Sequence, residues 1–229
     1  MRLLALLGLC ALTLSSCVQT SDPTSTNGTQ AHTSSSTLLY VALGASDTFG
    51  IGTQNPYTEN WASDLSVLLG SRTRLVNLGV PSMTLHQALT AELPIALEAR
   101  PGLVTIWLAV NDLATNVPVN SYRHDLDTML SRLQKAAPHA RIEVGNVPDL
   151  TSVPFFRSSN QLTLRQHIAT YNTAIASVVL HHHAILVDLS AQGYNLRAFP
   201  EYISRDGLHP SASGYLRLAE LFYDALPTK

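Results

Sequence analysis

The order of apolar segments along this 229-residue chain predicts an α/β fold, a three-layer α/β/α sandwich built on a five-stranded parallel sheet. Five short apolar runs alternate with five longer segments in which apolar residues recur at helical spacing. Strands that alternate with helices pair in parallel, because each helix carries the chain back across one face of the sheet. One run is apolar throughout, as expected for a strand at the centre of such a sheet.

The predicted strands differ in length and in apolar character. The run Leu103–Val110, LVTIWLAV, is the most continuously apolar part of the body and is predicted to be a central strand buried on both faces. The other four predicted strands are Leu38–Leu43, Arg74–Leu78, Ile142–Val147 and Ala184–Leu189. Because parallel strands run in one direction, the turns that follow them should meet at one edge of the sheet.

The predicted helices are placed by apolar periodicity and by residues that start or end a helix. Asn55 and Pro56 are predicted to start the first helix, which Gly70 ends. The second begins near Thr84 and should be kinked by Pro94. The remaining three carry apolar residues three or four positions apart, namely Tyr122, Leu126, Met129, Leu130 and Leu133; Leu164, Ile168, Tyr171, Ile175 and Val178; and a closing helix from Ser211 to Leu226.

Composition limits the function classes that the chain can serve. The formal net charge is −2 and 13 % of the residues are charged, against about 25 % in an average globular domain. No basic stripe runs along the chain, so nucleic-acid binding is not expected. The only cysteines are Cys10 and Cys17, so no disulfide and no thiol chemistry is predicted in the body of the protein.

The first residues are typical of a bacterial lipoprotein signal peptide, predicted to span residues 1–17. A positive charge at Arg2 precedes the apolar stretch Leu3–Leu14, which is too short to remain as a membrane-spanning anchor. The sequence Leu14-Ser15-Ser16-Cys17 resembles a lipobox, in which the cysteine is lipidated and becomes the new first residue. We therefore expect an exported lipoprotein anchored to the cell envelope through Cys17, with plain secretion as the alternative.

Two segments follow the predicted signal peptide. Residues 18–37 are rich in Ser, Thr, Gln, Asn and Gly and have almost no large apolar residues, so they are predicted to be a flexible tether. Residues 38–229 are long enough to form one domain with a large core. A monomer is expected.

Ser46 follows the first predicted strand in a turn that begins at Gly44. A serine just beyond the carboxyl end of a buried strand can expose its hydroxyl to a crevice and keep its backbone N–H free, as a nucleophile requires. Taken alone, Ser46 also fits an ordinary turn residue. The choice between these interpretations depends on whether the other strands supply the partners of a nucleophile.

A base for Ser46 is best supplied by His209 among the nine histidines. Asp206 lies three residues before it in the same turn, close enough to hold the imidazole through its second nitrogen. Asp206 and His209 could equally cap the last helix. His86, early in the second helix, is the other candidate. The run His181–His183 is not expected to bind a metal, because consecutive histidines at a helix end do not converge on one ion.

The negative charge that develops on a carbonyl oxygen needs hydrogen-bond donors. The backbone N–H of Ser46 can be one, Gly79 allows a second backbone N–H to approach closely, and the side-chain amide of Asn111 can be a third. Gly79 and Asn111 each follow a predicted strand, and each alone would also fit a turn.

The chain resembles the SGNH (GDSL-type) hydrolases, which are named for four residues found here in the same order, each after a strand: Ser46, Gly79, Asn111 and His209. The resemblance implies a flavodoxin-like fold with strand order 2-1-3-4-5 and a serine acyl hydrolase without metal or cofactor. It implies that Ser46 is the nucleophile, His209 the base and Asp206 its orienting acid. Gly79 and Asn111 would complete the oxyanion hole with Ser46.

The resemblance covers the body from about Leu38 to Leu226, with two departures from the family pattern. Gly44-Ala45-Ser46 replaces Gly-Asp-Ser, and Ala109-Val110-Asn111-Asp112 replaces Gly-x-Asn-Asp. Neither departure removes a group that the mechanism uses, so an active enzyme is expected.

The substrate remains open between lipid esters and O-acetyl esters of carbohydrates. The segments Val147–Phe156 and Ser190–Arg205 can border the crevice with apolar and aromatic groups, which favours an ester with an apolar acyl or alcohol part. Two alternative hypotheses stand beside the serine hydrolase. One is a tethered acyl- or glycan-binding protein with negligible turnover, and the other assigns the chemistry to His86 with Asp112 or Asp188.

Overall fold

The computed structural model describes residues 37–191 and 193–227. The predicted signal peptide, Cys17 and residues 18–36 of the predicted tether lie outside the described residues. Within the described ranges, no helix has both the length and the apolar character needed to cross a membrane.

A parallel sheet forms the centre of the described domain. Its five strands are β1 (Leu38–Gly44), β2 (Thr73–Asn77), β3 (Leu103–Trp107), β4 (Arg141–Gly145) and β5 (Ile185–Val187). Their order is β2-β1-β3-β4-β5, with every neighbouring pair parallel. The predicted fold class and strand order are both confirmed.

Helices cover both faces of the sheet. The α-helices of the described residues are α1 (Ser46–Phe49), α2 (Trp61–Leu68), α3 (Leu85–Ala91), α4 (Leu93–Ala99), α5 (Val110–Ala114), α6 (Val119–Ala136), α7 (Gln161–His181) and α8 (Ala212–Ala225). Helix α2 packs against α8, while α6 packs against α3, α4 and α7. These two groups form the outer layers of the sandwich.

The strand predicted over Leu103–Val110 is shorter than expected. Strand β3 ends at Trp107 and is buried along its whole length, but Val110 already begins α5. Its position between β1 and β4 confirms the prediction of a central strand. Asn111 therefore lies in the first turn of a short helix, where backbone N–H groups have no intrahelical acceptor.

Two helix boundaries were predicted wrongly. Helix α2 does not start at Asn55 and Pro56 but at Trp61, because the side chain of Asn60 accepts the Ser63 N–H at 2.9 Å and so caps the helix. The second predicted helix is two helices, since Pro94 occupies the first turn of α4 and does not kink a longer helix.

Aromatic side chains fill the layer between the sheet and helices α2 and α8. Trp61 is fully buried and stacks on Phe222 with ring centroids 4.4 Å apart, and its edge contacts Trp107 at 6.3 Å. Trp107 is the last residue of β3, so this cluster fixes the carboxyl end of the central strand. Truncating a buried tryptophan typically costs about 3–5 kcal/mol of stability.

Candidate active site

A cleft lies beyond the carboxyl ends of the strands and brings three of the predicted site residues together. Ser46, Asn111 and His209 all line it. Its empty volume is about 500 Å³, part of which is open solvent. Asp206 contacts His209 but does not line the cleft, and neither does Gly79.

Ser46 stands at the junction of β1 and the one-turn helix α1. The turn is closed by the carbonyl of Ala45, which accepts the N–H groups of Thr48 and Phe49 at 3.1 and 2.9 Å. A Cβ at Gly44 would lie 1.9 Å from Oγ1 of Thr48, so residue 44 must be glycine for α1 to fold back this closely. This local geometry aims residue 46 at the cleft.

Glu92 holds the end of β1 just before Ser46. The sequence did not predict this contact. Its Oε2 accepts the N–H of Gly44 at 2.9 Å, and its side chain is almost fully buried. Burial raises the pKa of Glu92 to about 8, although the hydrogen bond from Gly44 lowers it. No local signal identified this residue, because it lies 48 positions from Gly44 along the chain.

Asp206 orients the imidazole of His209 through one short hydrogen bond. Its Oδ2 lies 2.7 Å from Nδ1 of His209, and its Oδ1 accepts the N–H groups of Leu208 and His209 at 2.8 and 3.0 Å. Burial raises the pKa of Asp206, but these hydrogen bonds outweigh burial and lower it to about 2. The ionised carboxylate can then accept only from a protonated Nδ1, which leaves the Nε2 lone pair of a neutral His209 available.

The alternative in which Asp206 and His209 cap the last helix is wrong. Ser211 is the N-cap of α8, and its Oγ accepts the N–H of Gly214 at 3.2 Å.

The hydroxyl of Ser46 and the Nε2 of His209 have no hydrogen-bond partner among the described residues. Both groups therefore remain available to a ligand in the cleft.

Asn111 is anchored through one of its two amide hydrogens. Its Nδ2 donates to the carbonyl of Met83 at 2.9 Å, which fixes the orientation of the amide. The amide carries a second N–H, and Asn111 lines the cleft. This arrangement suits a donor to a negatively charged oxygen.

Gly79 packs against the backbone of α1. A Cβ at residue 79 would lie 2.5 Å from the N atom of Phe49, so a side chain cannot fit there. Its N–H donates to Oδ1 of Asn77 at 2.9 Å, and the Nδ2 of Asn77 donates to the carbonyl of Thr48 at 2.7 Å. An oxyanion role for Gly79 stays a prediction, and it requires this N–H to leave Asn77.

Asp47 lines the cleft directly after Ser46, and sequence reasoning missed it as well. Burial raises its pKa to about 6, with the charge of His209 lowering it and that of Asp206 raising it. A second carboxylate therefore lies in the electrostatic field of His209. The only signal of this residue in the sequence was its position directly after Ser46.

Aromatic and aliphatic side chains form most of the cleft wall. Tyr194 and Tyr202 stack with ring centroids 5.8 Å apart, and Phe199 stacks on Tyr202 at 5.2 Å. The hydroxyl of Tyr194 is buried without a hydrogen-bond partner among the described residues. The apolar members of the lining are Trp107, Val110, Pro148, Leu150, Val153, Leu196, Ile203, Leu208 and Pro210.

His86 lies outside this cleft. Its Nδ1 is 3.2 Å from Oδ2 of Asp125, and its side chain is largely exposed. The carboxylate of Asp112 accepts the N–H of Leu85 at 3.1 Å, and Asp188 accepts from Asn146 at 2.7 Å. The alternative base is therefore not brought together with Ser46 in the cleft.

The fold and the cleft together define an α/β/α sandwich of the hydrolase class, with a serine and an acid-supported histidine at the carboxyl edge of a parallel sheet. The chain belongs to the GDSL-like Lipase/Acylhydrolase family, whose model matches residues 42–217. The resemblance to the SGNH (GDSL-type) hydrolases is thereby confirmed. A comparison with curated protein sequences gave no significant match.

Solved structures share the fold at low sequence identity. The crystal structure of TesA is 21 % identical over 82 % of this chain and 97 % of its own, with a TM-score of 0.66. The lipase/acylhydrolase from Enterococcus faecalis is 21 % identical over 82 % of this chain and 94 % of its own, with a TM-score of 0.66. The acetyl xylan esterase AlAXEase is 17 % identical over 83 % of this chain and 100 % of its own, with a TM-score of 0.67.

Proposed function

We propose that the protein hydrolyses carboxylic esters through an acyl-enzyme formed on Ser46. The observation that carries this proposal is the shared cleft of Ser46, Asn111 and His209, with Asp206 bound to the far nitrogen of His209 at 2.7 Å. A serine needs a base with a free lone pair, and the base needs an acid that fixes its tautomer. Each of these groups is contributed by this chain.

In the proposed mechanism, Nε2 of His209 takes the proton of Ser46 as the hydroxyl oxygen attacks the ester carbonyl. The ionised Asp206 stabilises the imidazolium that forms. The oxyanion accepts hydrogen bonds from the Ser46 N–H and the Asn111 amide, with the N–H of Gly79 as the third donor. His209 then protonates the alcohol as its bond to the acyl carbon breaks. In the second half, His209 takes a proton from water as the water oxygen attacks the acyl-enzyme, and it returns that proton to Ser46 as the acyl bond breaks and the free acid leaves.

The cleft lining favours an uncharged ester with an apolar acyl or alcohol part. Its wall is mostly aliphatic and aromatic, and no lysine or arginine is among the residues that line it. Asp47 would repel an anionic group on the substrate. Acyl lipids and O-acetylated carbohydrates both meet this description. Among the similar structures, AlAXEase is named an acetyl xylan esterase and the Enterococcus faecalis protein a lipase/acylhydrolase.

We also propose that the mature protein is a monomeric lipoprotein anchored through Cys17. Support comes from the lipobox-like sequence Leu14-Ser15-Ser16-Cys17 and from the polar segment of residues 18–37 that follows it. Metabolic labelling of the expressing cells with a fatty-acid probe tests this directly. Label should appear on the wild type and disappear in Cys17→Ala, and unlabelled wild type would instead indicate plain secretion.

The hydrolase proposal is tested with a series of p-nitrophenyl esters of increasing acyl length, using wild type, Ser46→Ala and His86→Ala. We expect turnover by wild type and His86→Ala, and a loss of about 10⁶-fold in kcat for Ser46→Ala. The preferred acyl length separates acetyl esters from lipid esters. An ester whose acyl group ends in a carboxylate should be a poorer substrate than its neutral counterpart.

A fluorophosphonate probe provides the covalent test. It should label wild type in about one equivalent and fail to label Ser46→Ala, because capture requires an activated serine. If folded wild type neither turned over esters nor reacted with the probe, the proposal would be wrong and a binding protein would be indicated. Activity that survived in Ser46→Ala would contradict the assigned nucleophile.

A further inference from the structure

A second histidine–carboxylate cluster lies away from the cleft, between α6 and the end of α7. Possible metal-ligand atoms of Asp127, His181 and His182 lie within 4.8 Å of one another. Asp127 belongs to α6, whereas His181 ends α7 and His182 caps it. The histidine run alone was not expected to bind a metal, but a third donor joins it from a different helix.

The tautomer of His182 follows from its contact with Gln134. The Nε2 of Gln134 donates to the backbone carbonyl of His182 at 2.5 Å, and that carbonyl can only accept. The Oε1 of Gln134 therefore faces Nδ1 of His182, at 2.9 Å. Since Oε1 is also only an acceptor, Nδ1 of His182 must carry a proton.

The other ring nitrogen of His182 then faces an acceptor. Its Nε2 lies 2.8 Å from Oδ1 of Asp127. If the imidazole were neutral, Nε2 would present a lone pair to a carboxylate oxygen, and this arrangement is repulsive. A cation bound to both atoms would remove this repulsion, because Nε2 and Oδ1 could then both act as its ligands.

We propose that Asp127, His181 and His182 bind a divalent transition-metal ion such as Zn²⁺. Two imidazoles and a carboxylate are a donor set that Zn²⁺ accepts, with water completing a tetrahedral shell. Gln134 would act in the second shell, because a ligating histidine usually donates its other N–H to an oxygen that fixes the ring. The side chain of Asp127 is half exposed, so it has space to turn outward and admit the ion.

The surroundings of the cluster supply both access and a favourable field. Asp127 and His181 line a solvent-open depression, so an ion can reach them. The carboxyl end of the 21-residue helix α7 carries partial negative charge, which favours a cation. Arg123 and His124 line the same depression, and the charge of Arg123 opposes a cation.

The site is remote from the proposed chemistry. His181 and His182 precede β5, so they lie at the opposite edge of the sheet from Ser46, which follows β1. Bound metal would join α6 to the end of α7 and stabilise the folded chain. It should leave ester hydrolysis unchanged.

Calorimetric titration of the untagged protein with Zn²⁺ alone tests the proposal, with thermal unfolding measured in parallel. We expect about one Zn²⁺ per chain and a raised unfolding midpoint that a chelator reverses. Asp127→Asn and His182→Gln should abolish both effects, while His124→Gln should keep them. Gln134→Ala should weaken binding by about 10- to 100-fold, and Arg123→Gln should strengthen it.

Ester hydrolysis serves as the check that each variant has folded. Absence of Zn²⁺ binding by the active wild type would overturn the proposal. Binding that persisted in active Asp127→Asn and His182→Gln would overturn the assigned ligands.

Discussion

The molecule contains two histidine–aspartate pairs of nearly equal length whose surroundings differ. His209 and Asp206 are 2.7 Å apart, and His182 and Asp127 are 2.8 Å apart. In the first pair the carboxylate contacts Nδ1, and Nε2 has no partner among the described residues. In the second pair the carboxylate contacts Nε2, while Nδ1 is occupied by Gln134.

The contacts of the second ring nitrogen therefore decide what a histidine–carboxylate pair can do. A free Nε2 at a cleft can accept a proton from a hydroxyl, so the first pair suits general-base catalysis. A ring held at both nitrogens by acceptors cannot serve as a base, but it can be cationic or bind a metal. The distance within the pair does not distinguish these roles.

The largest expected difference between the pairs is in catalysis. His209→Ala should lower kcat by about 10⁵- to 10⁶-fold, because the base is removed. His182→Gln should leave kcat within about twofold of wild type, because it lies at the other edge of the sheet. Single-turnover and steady-state assays on the same ester measure both. Comparable losses in the two folded variants would contradict the distinction between the pairs.

Replacing the carboxylate should also lower kcat in the first pair and not in the second, but by less than replacing the histidine. Asp206→Asn should lower kcat by about 10⁴-fold, because an amide stabilises the wrong tautomer of His209. Asp127→Asn is the matched control and should keep wild-type turnover. If Asp206→Asn retained most of its activity, His209 would not depend on an orienting acid.

Asp47 places a second carboxylate close enough to His209 for the two charges to interact. Its ionised form should stabilise the imidazolium, so Asp47→Asn should lower kcat/KM by about tenfold, or about 1.4 kcal/mol. Since the pKa of Asp47 is raised to about 6, the difference from wild type should be largest above pH 6 and shrink below it. A pH–rate profile measures this, and a loss independent of pH would indicate a steric effect.

Glu92, which holds the end of β1 next to the nucleophile Ser46, should affect stability and not catalysis. Its pKa of about 8 in the folded state exceeds the ordinary value of 4.5, so the folded state binds the proton more tightly. The contribution of protonated Glu92 to the stability of the folded state is complete below pH 4.5 and is lost as the pH rises through about 8.

Replacing Glu92 by Gln keeps an acceptor for Gly44 and removes the charge. The free energy of unfolding should therefore fall less steeply in Glu92→Gln than in wild type between pH 4.5 and 8. Near pH 8 the variant should be more stable than wild type by about 2–4 kcal/mol. Urea unfolding across this range measures the slope, and Glu98→Gln, at an exposed position of α4, is the control. Identical slopes in all three proteins would show that Glu92 does not titrate as described.

Much of the fold and part of the site could be predicted because they depend on local pattern. Alternating apolar periods specify strands and helices, and the order of strands follows once the family resemblance is added. Asp206 and His209 were predictable as a pair because they lie three positions apart in one turn. The boundary errors at Asn55 and Pro94 have the same local origin, since several residues can cap or begin a helix and packing selects among them.

The residue pattern alone predicts the α/β/α class, the serine beyond the first strand and the histidine that follows the last. Which distant groups contact these residues depends on how the helices pack on the sheet. Glu92 reaches Gly44 from 48 residues away, and Asp127 reaches His182 from 55 residues away. Such contacts form because helices pack across a sheet that brings remote segments together, and no periodicity, cap or turn near either residue records its partner.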